Sequence, residues 1–133
     1  SQIDEAVEIL RKDKTLDSAC TVSSYDMWSP LRAKKINEDG KLVPFVPIEF
    51  FGKDVTCDRG SQGQTWYADC SIFVVRPRCM LKKNGDVPFT WLGRNIHPIK
   101  QWGGLDIDYK WQVPIVEFWL KSHGFSEDST PYD

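Results

Sequence analysis

Long hydrophobic runs are missing from this 133-residue chain. No apolar stretch approaches the roughly 18 to 20 residues needed to cross a bilayer. The N-terminal stretch with Asp4, Glu5, Glu8, Arg11, Lys12, Asp13 and Lys14 lacks the apolar middle of a signal peptide. The reading is a soluble, cytoplasmic protein without a membrane partner. Basic blocks are scarce as well: none exceeds pairs such as Lys34-Lys35 and Lys82-Lys83, and 17 Lys and Arg against 19 Asp and Glu leave a net charge of −2. That balance argues against a non-specific nucleic-acid binder, which needs a cationic surplus to neutralise phosphates. Four cysteines (Cys20, Cys57, Cys70, Cys79) and two histidines (His97, His123) show no C-x-x-C or Cys/His spacing, so neither a zinc site nor a Cys-His nucleophile pair is expected. The cysteines read as free and mostly buried thiols, and the histidines as structural. Glycine-rich phosphate loops of the G-x-G-x-x-G or G-x-x-x-x-G-K-[ST] kind are also absent.

What is present fits one ordinary domain with a core, since 41% of the residues are apolar and 27% charged. Ser1-Gln2-Ile3-Asp4 reads as a capping box opening a helix whose buried stripe is Ile3, Ala6, Val7 and Leu10. A chain that opens inside a helix start reads as cut from something longer. Ser18 to Ser24 has strand character, and Tyr25 to Pro30 reads as a loop. Asn37-Glu38-Asp39-Gly40 supplies the turn of a hairpin with arms Leu31 to Ile36 and Lys41 to Val46, and Pro44 and Pro47 make the second arm an edge. Gly52 to Gln64 is the longest loop. Trp66 to Val75 is the strongest strand, and its run Ile72-Phe73-Val74-Val75 predicts cover on both faces. A helical turn near Pro77 to Leu81 and a turn at Asn84-Gly85-Asp86 lead to a strand around Asn95 to Ile99. A last helix spans Val113 to His123, with Val116, Trp119 and Leu120 facing inward and Gly124 as its stop. The order predicts a mixed α/β fold: a mixed sheet with flanking helices over 1–124, then a polar, mobile tail over 125–133.

Asp106 and Asp108 are the sharpest chemical signal. In extended backbone, residues two apart share a side, and Mg²⁺ binds through one or two carboxylates while keeping positions for water and substrate phosphate. The competing reading is a solvated turn whose acids favour the positive end of the helix that follows. Arg32 and Arg59 flank loops, where a guanidinium can grip a carboxylate or phosphate with two parallel bonds. Surface charge is the plain alternative. Phe73 and Phe89 could wall a ligand pocket or simply fill the core.

Several pieces then fall in one order: Ser1 to Leu10, Asp17-Ser18-Ala19-Cys20-Thr21-Val22, Ser29-Pro30-Leu31 with the Asn37-Glu38-Asp39-Gly40 turn, and Asp106-Ile107-Asp108 followed by Ile115-x-Glu117-Phe118. In that order and spacing they resemble the acylneuraminate cytidylyltransferases, which make CMP-activated sugar acids. The resemblance covers the chain to about Gly124. It implies the C-terminal part of a Rossmann-like nucleotide-diphospho-sugar transferase fold, acting on CTP and a sugar acid with Mg²⁺. A sugar's anomeric hydroxyl would attack the α-phosphate and release pyrophosphate. By resemblance, Asp106 and Asp108 match the metal pair, Arg59 a sugar-pocket arginine, Arg32 a basic residue after Pro-Leu, and Phe73 and Phe89 aromatic wall positions. The family's Gly-rich CTP loop and its catalytic basic residues are expected upstream of Ser1, so the isolated chain is expected to be inactive. The family also implies a homodimer, with Phe45, Phe50 and Phe51 at the contact. The chain departs from the pattern at Asp69-Cys70, where the family commonly has Asn-Gly, at Phe73 in place of Tyr, and at Gln112 in place of an acid. An acidic Asp69 is expected to repel a bound sugar carboxylate. The alternative function is a non-catalytic interaction or oligomerisation module derived from the same fold.

Overall fold

In a computed structural model, which describes residues 1–25 and 28–130, the chain forms a mixed α/β fold. It divides into two units, 1–103 and 104–133. In the first, helix α1 (Gln2–Lys12) starts on the expected capping box, with the Asp4 amide donating to Ser1 Oγ. Ala6 and Leu10 are buried, but Ile3 lies outside the stripe. The strands are β1 (Ser18–Ser23), β2 (Lys34–Ile36), β3 (Leu42–Pro44), β4 (Tyr67–Val75) and β5 (Ile96–Gln101), with a short helix α2 (Pro77–Lys82) after β4. One sheet has the order β4-β1-β5, antiparallel between β1 and β4 and parallel between β1 and β5. The hairpin β2-β3 is a separate two-stranded ribbon.

The expectation that β4 is covered on both faces is corrected here. β4 is an edge strand and only partly buried, whereas every residue of β1 is buried. The β1 sequence Ser-Ala-Cys-Thr-Val-Ser is small and polar enough to look peripheral, yet it lies between two strands and under α1. Ala6, Leu10, Leu16, Ala19 and Ile99 form the core, with Ile9 and Val74 packed against it. Alternation along the strands puts Cys20 and Phe73 on the opposite face.

Two carboxylates bind the ends of this sheet. At the N-terminal end of the parallel pair, Asp17 accepts the amides of Arg94 (3.0 Å) and Asn95 (3.2 Å) and the Arg78 guanidinium (3.0 Å). These donors hold its carboxyl well below the usual carboxylate range. Arg76 donates to the carbonyls of Leu10 and Asp13, which the end of α1 leaves open, and to that of Leu16 just before β1. At the other end, two steps along β1 from Cys20 to Val22 are matched by five along β4 from Phe73 to Ala68. This bulge carries Asp69, and it places Cys70 at φ 64°, a left-handed conformation that costs a non-glycine residue on the order of 1 kcal/mol.

In the second unit, helix α3 (Val113–Ser122) ends as expected at Gly124, φ 87°. The Gly124 amide donates to Lys121 and the Phe125 amide to Leu120, the paired bonds of a Schellman cap. Val116, Trp119 and Leu120 are the half-buried residues of this helix, and none is fully buried. In the described part of the tail, Ser126 and Ser129 close a turn. Residues 131–133 lie outside the described residues.

Other local expectations hold with shorter bounds. Asn37-Glu38-Asp39-Gly40 turns the hairpin, with Gly40 at φ 74° and the Lys41 amide on Asn37 Oδ1. The first arm is partly a 3-10 turn, Pro30–Arg32, because Pro30 pre-sets a turn rather than a ladder position. Of the expected Tyr25 to Pro30 loop, Asp26 and Met27 lie outside the described residues. The four cysteines are free, but only Cys20 and Cys79 are buried, because Cys57 and Cys70 sit on a loop and a bulge. Among the described residues no helix is long and apolar enough to cross a membrane.

Candidate functional site

Arg32 and Arg59 are separated by a hairpin and a long loop in sequence, yet they line one cleft. Its described walls are Ser24, Tyr25, Trp28, Ser29, Gln62, Gly63, Gln64 and Thr65, and its volume is about 40 Å³. That is room for about three waters, or for the carboxylate end of a larger ligand. Arg32 follows Pro30, whose fixed φ starts a 3-10 turn. Arg59 opens a second such turn, capped by Asp58 accepting the Gly60 amide, inside a loop where Thr56, Asp58 and Ser61 hydrogen-bond one another. Arg32 Nη2 reaches the Cys57 carbonyl at 3.5 Å, which ties the two loops together. Both guanidinium groups are exposed, and hydroxyls and amides surround them. Guanidinium groups among hydroxyls and amides have the chemistry to bind an anion that also carries hydroxyl groups.

Phe73 and Phe89 also meet, at 5.5 Å between ring centroids, but not at this cleft. Trp91 joins them, 5.1 Å from Phe73 and 6.0 Å from Phe89. The three half-buried rings form a tilted and edge-on cluster of the kind that fills a core. Trp91 was not singled out by the sequence reading, although its place two residues beyond Phe89 was the available signal.

Asp106 and Asp108 lie in the second unit, on the stretch leading to α3, and both are exposed. Asp106 Oδ1 accepts the Ile107 amide at 2.9 Å, while the amides of Asp108 and Tyr109 both donate to Gln112 Oε1 at 2.7 Å. Gln112 therefore caps the start of the helical segment through its side-chain oxygen. Among the described residues no group of three His, Cys, Asp or Glu side chains converges on a point that could hold a metal. Two hydrated carboxylates suit Mg²⁺ only if water and substrate phosphate complete the shell, which is the habit of that ion.

Asp69 is the residue whose surroundings the sequence reading missed. Its carboxylate accepts Thr21 Oγ1 (2.6 Å), Ser23 Oγ (2.5 Å), Gln101 Nε2 (2.7 Å) and the Ser71 amide (3.1 Å). Burial pushes the carboxyl up, but the bonds from Ser23, Thr21, Gln101 and Ser71 outweigh it and hold the group below its ordinary value. These donors stabilise the charged form, so the carboxylate is committed to bonds within the sheet. No protein-family model matches the chain, and no curated protein matches it either.

Proposed function

We propose that the chain is the C-terminal portion of a nucleotidyltransferase that transfers CMP from CTP to a sugar acid. The observation that carries this reading is the convergence of Arg32 and Arg59, with hydroxyl and amide side chains between them, on one cleft. A sugar acid presents a carboxylate for the guanidinium pair and hydroxyls for Ser24, Ser29, Gln62, Gln64 and Thr65. In this reading the sheet β4-β1-β5 is the terminal part of a Rossmann-like nucleotide-diphospho-sugar transferase sheet, and its parallel β1-β5 pair supports that. Asp106 and Asp108 would hold Mg²⁺ through their carboxylates. The ion would neutralise charge developing on the phosphoryl oxygens as the sugar's anomeric hydroxyl displaces pyrophosphate. The arginines bind and orient the acid, so their contribution falls on substrate affinity. Titration of the chain with N-acetylneuraminic acid, followed by backbone amide shifts, is expected to perturb Ser24, Thr65 and the residues around Arg59. Arg59→Ala or Arg32→Ala is expected to weaken the binding by about tenfold, the loss of one charge-assisted contact. Unchanged affinity in both variants would defeat the assignment.

The second reading, an interaction module, has its own observation. Ile36 and Leu42 face each other across the β2-β3 ladder, each 73% exposed, and Phe50 is 79% exposed with Phe45 and Ile48 nearby in sequence. An isolated two-stranded ribbon is marginal in water, so this apolar surface favours cover by a second copy. We expect a homodimer at micromolar concentration by sedimentation, and Phe50→Asp with Leu42→Asp should return it to the 15.3 kDa monomer. A monomeric wild-type chain would remove the basis for both the dimer and the module.

A further inference from the structure

The parallel strands β1 and β5 end side by side, at Ser23 and Gln101. In open α/β sheets, ligand crevices form beyond the carboxyl ends of parallel strands. The chain leaves β1 into Ser24 and Tyr25, two walls of the arginine cleft. Both terminal residues donate to a single group: Ser23 Oγ and Gln101 Nε2 each bond Asp69 Oδ2, while Thr21 Oγ1 and the Ser71 amide bond Oδ1. We infer that Asp69 is a positioning residue, a clasp that fixes the end of β1 where the chain enters the arginine cleft. In what it says about ligand binding, this rests on the sugar-acid reading above.

The charge state matters to the clasp. A carboxylate only accepts hydrogen bonds, so it dictates the direction of every group around it. Gln101 must aim its NH₂ at Asp69, where it also reaches Ser71 Oγ at 3.2 Å. Its carbonyl is then left for Gln2 Nε2 at 3.1 Å, in the first turn of α1. Thr21 must likewise donate to Asp69, and its oxygen then accepts the Ile72 amide at 3.0 Å across the bulge. An asparagine of the same shape would turn one NH₂ toward these donors. Either that group faces Gln101 NH₂, or Gln101 turns over and gives up Gln2. Asp17 performs a comparable task at the opposite end of the same strands, away from the cleft, and so supplies an internal control.

The experiment compares wild type with Asp69→Asn in two ways. Without ligand, Asp69→Asn is expected to shift the amides of Ser24 and Tyr25, while hydrogen exchange at Arg94 and Asn95 at the Asp17 end stays unchanged. With N-acetylneuraminic acid as probe, affinity is expected to fall at least fivefold. Acceleration at Arg94 and Asn95 equal to that at Ile72 would signal general destabilisation and overturn the proposal, as would unmoved Ser24 and Tyr25 amides or an unchanged affinity. If wild type does not bind the probe, the sugar-acid reading fails. Selective displacement of Ser24 and Tyr25 would then still support the clasp. Should Asp69→Asn fail to fold, Ser23→Ala, which deletes one donor and keeps the carboxylate, gives the same readings.

Discussion

Asp17→Ala is expected to destabilise the fold by about 3 kcal/mol, seen as a fall of roughly 10 °C in the thermal midpoint. Removing the carboxylate strips two backbone amides, those of Arg94 and Asn95, of their acceptor, and a hydrogen bond to a charged group is worth about 1.5 to 3 kcal/mol. Arg78, whose side chain is 45% exposed, can turn to water and contributes less. Gly93 packs directly against Asp17: even a Cβ there would come within 2.5 Å of it, and its φ of 79° leaves no side chain at ease. The same carboxylate sets a pH dependence. Because its folded-state value is depressed, its contribution is complete above the unfolded-state value of about 4 and drains away as the pH falls through the folded-state value. Asp69 acts in the same direction. Urea unfolding of wild type should therefore weaken steeply below about pH 4, while Asp17→Ala shows a shallower slope. Equal slopes would remove the Asp17 carboxylate from the pH dependence of this fold.

How far such features can be read from sequence follows from how local they are. The capping box of Ser1 and Asp4, the Asn37 to Gly40 turn and the Gly124 stop each depend on a few adjacent residues, and each stands where the sequence puts it. Burial of a strand depends on what lies on either side. Ile72-Phe73-Val74-Val75 therefore looked central while Ser18 to Ser23, with only one strongly apolar side chain, took the middle of the sheet. Residues at the site divide in the same way. Arg32 and Arg59 were legible one at a time as loop arginines, but their meeting depends on two 3-10 turns joined at Cys57. The Asp69 clasp draws on Thr21, Ser23, Ser71 and Gln101, three strands of the sheet, and it exists only because a bulge shifts β4 against β1. Its one sequence trace was negative: an acid and a cysteine where a turn-prone pair is usual in the resembled family. Cys70 still adopts the left-handed conformation that a glycine takes without strain.

Under the proposed nucleotidyltransferase reading, the largest functional effect is expected at the exposed acid pair. In a form of the protein that turns over CTP, Asp106→Ala or Asp108→Ala is expected to lower turnover by about 10²-fold, equivalent to about 3 kcal/mol of transition-state stabilisation. Stability should be nearly unchanged, because both residues are exposed and the only bond either carboxylate makes to the described fold is the local one from Ile107 to Asp106. That separation sets them apart from Asp17 and Asp69, whose carboxylates are consumed by amides and hydroxyls and have little capacity left for a metal. A pair of exposed carboxylates would bind such an ion weakly alone, since Mg²⁺ draws most of its ligands from water and phosphate. Mn²⁺ titrated into the chain should therefore broaden the amide signals of Ile107 and Tyr109 weakly, and more strongly once a triphosphate is supplied to a form that binds it. Asp106→Asn and Asp108→Asn should abolish the broadening, because an amide oxygen brings no charge to the ion. Full turnover at saturating Mg²⁺ in either alanine variant, with the broadening intact, would return the two aspartates to the bland role of turn acids ahead of α3.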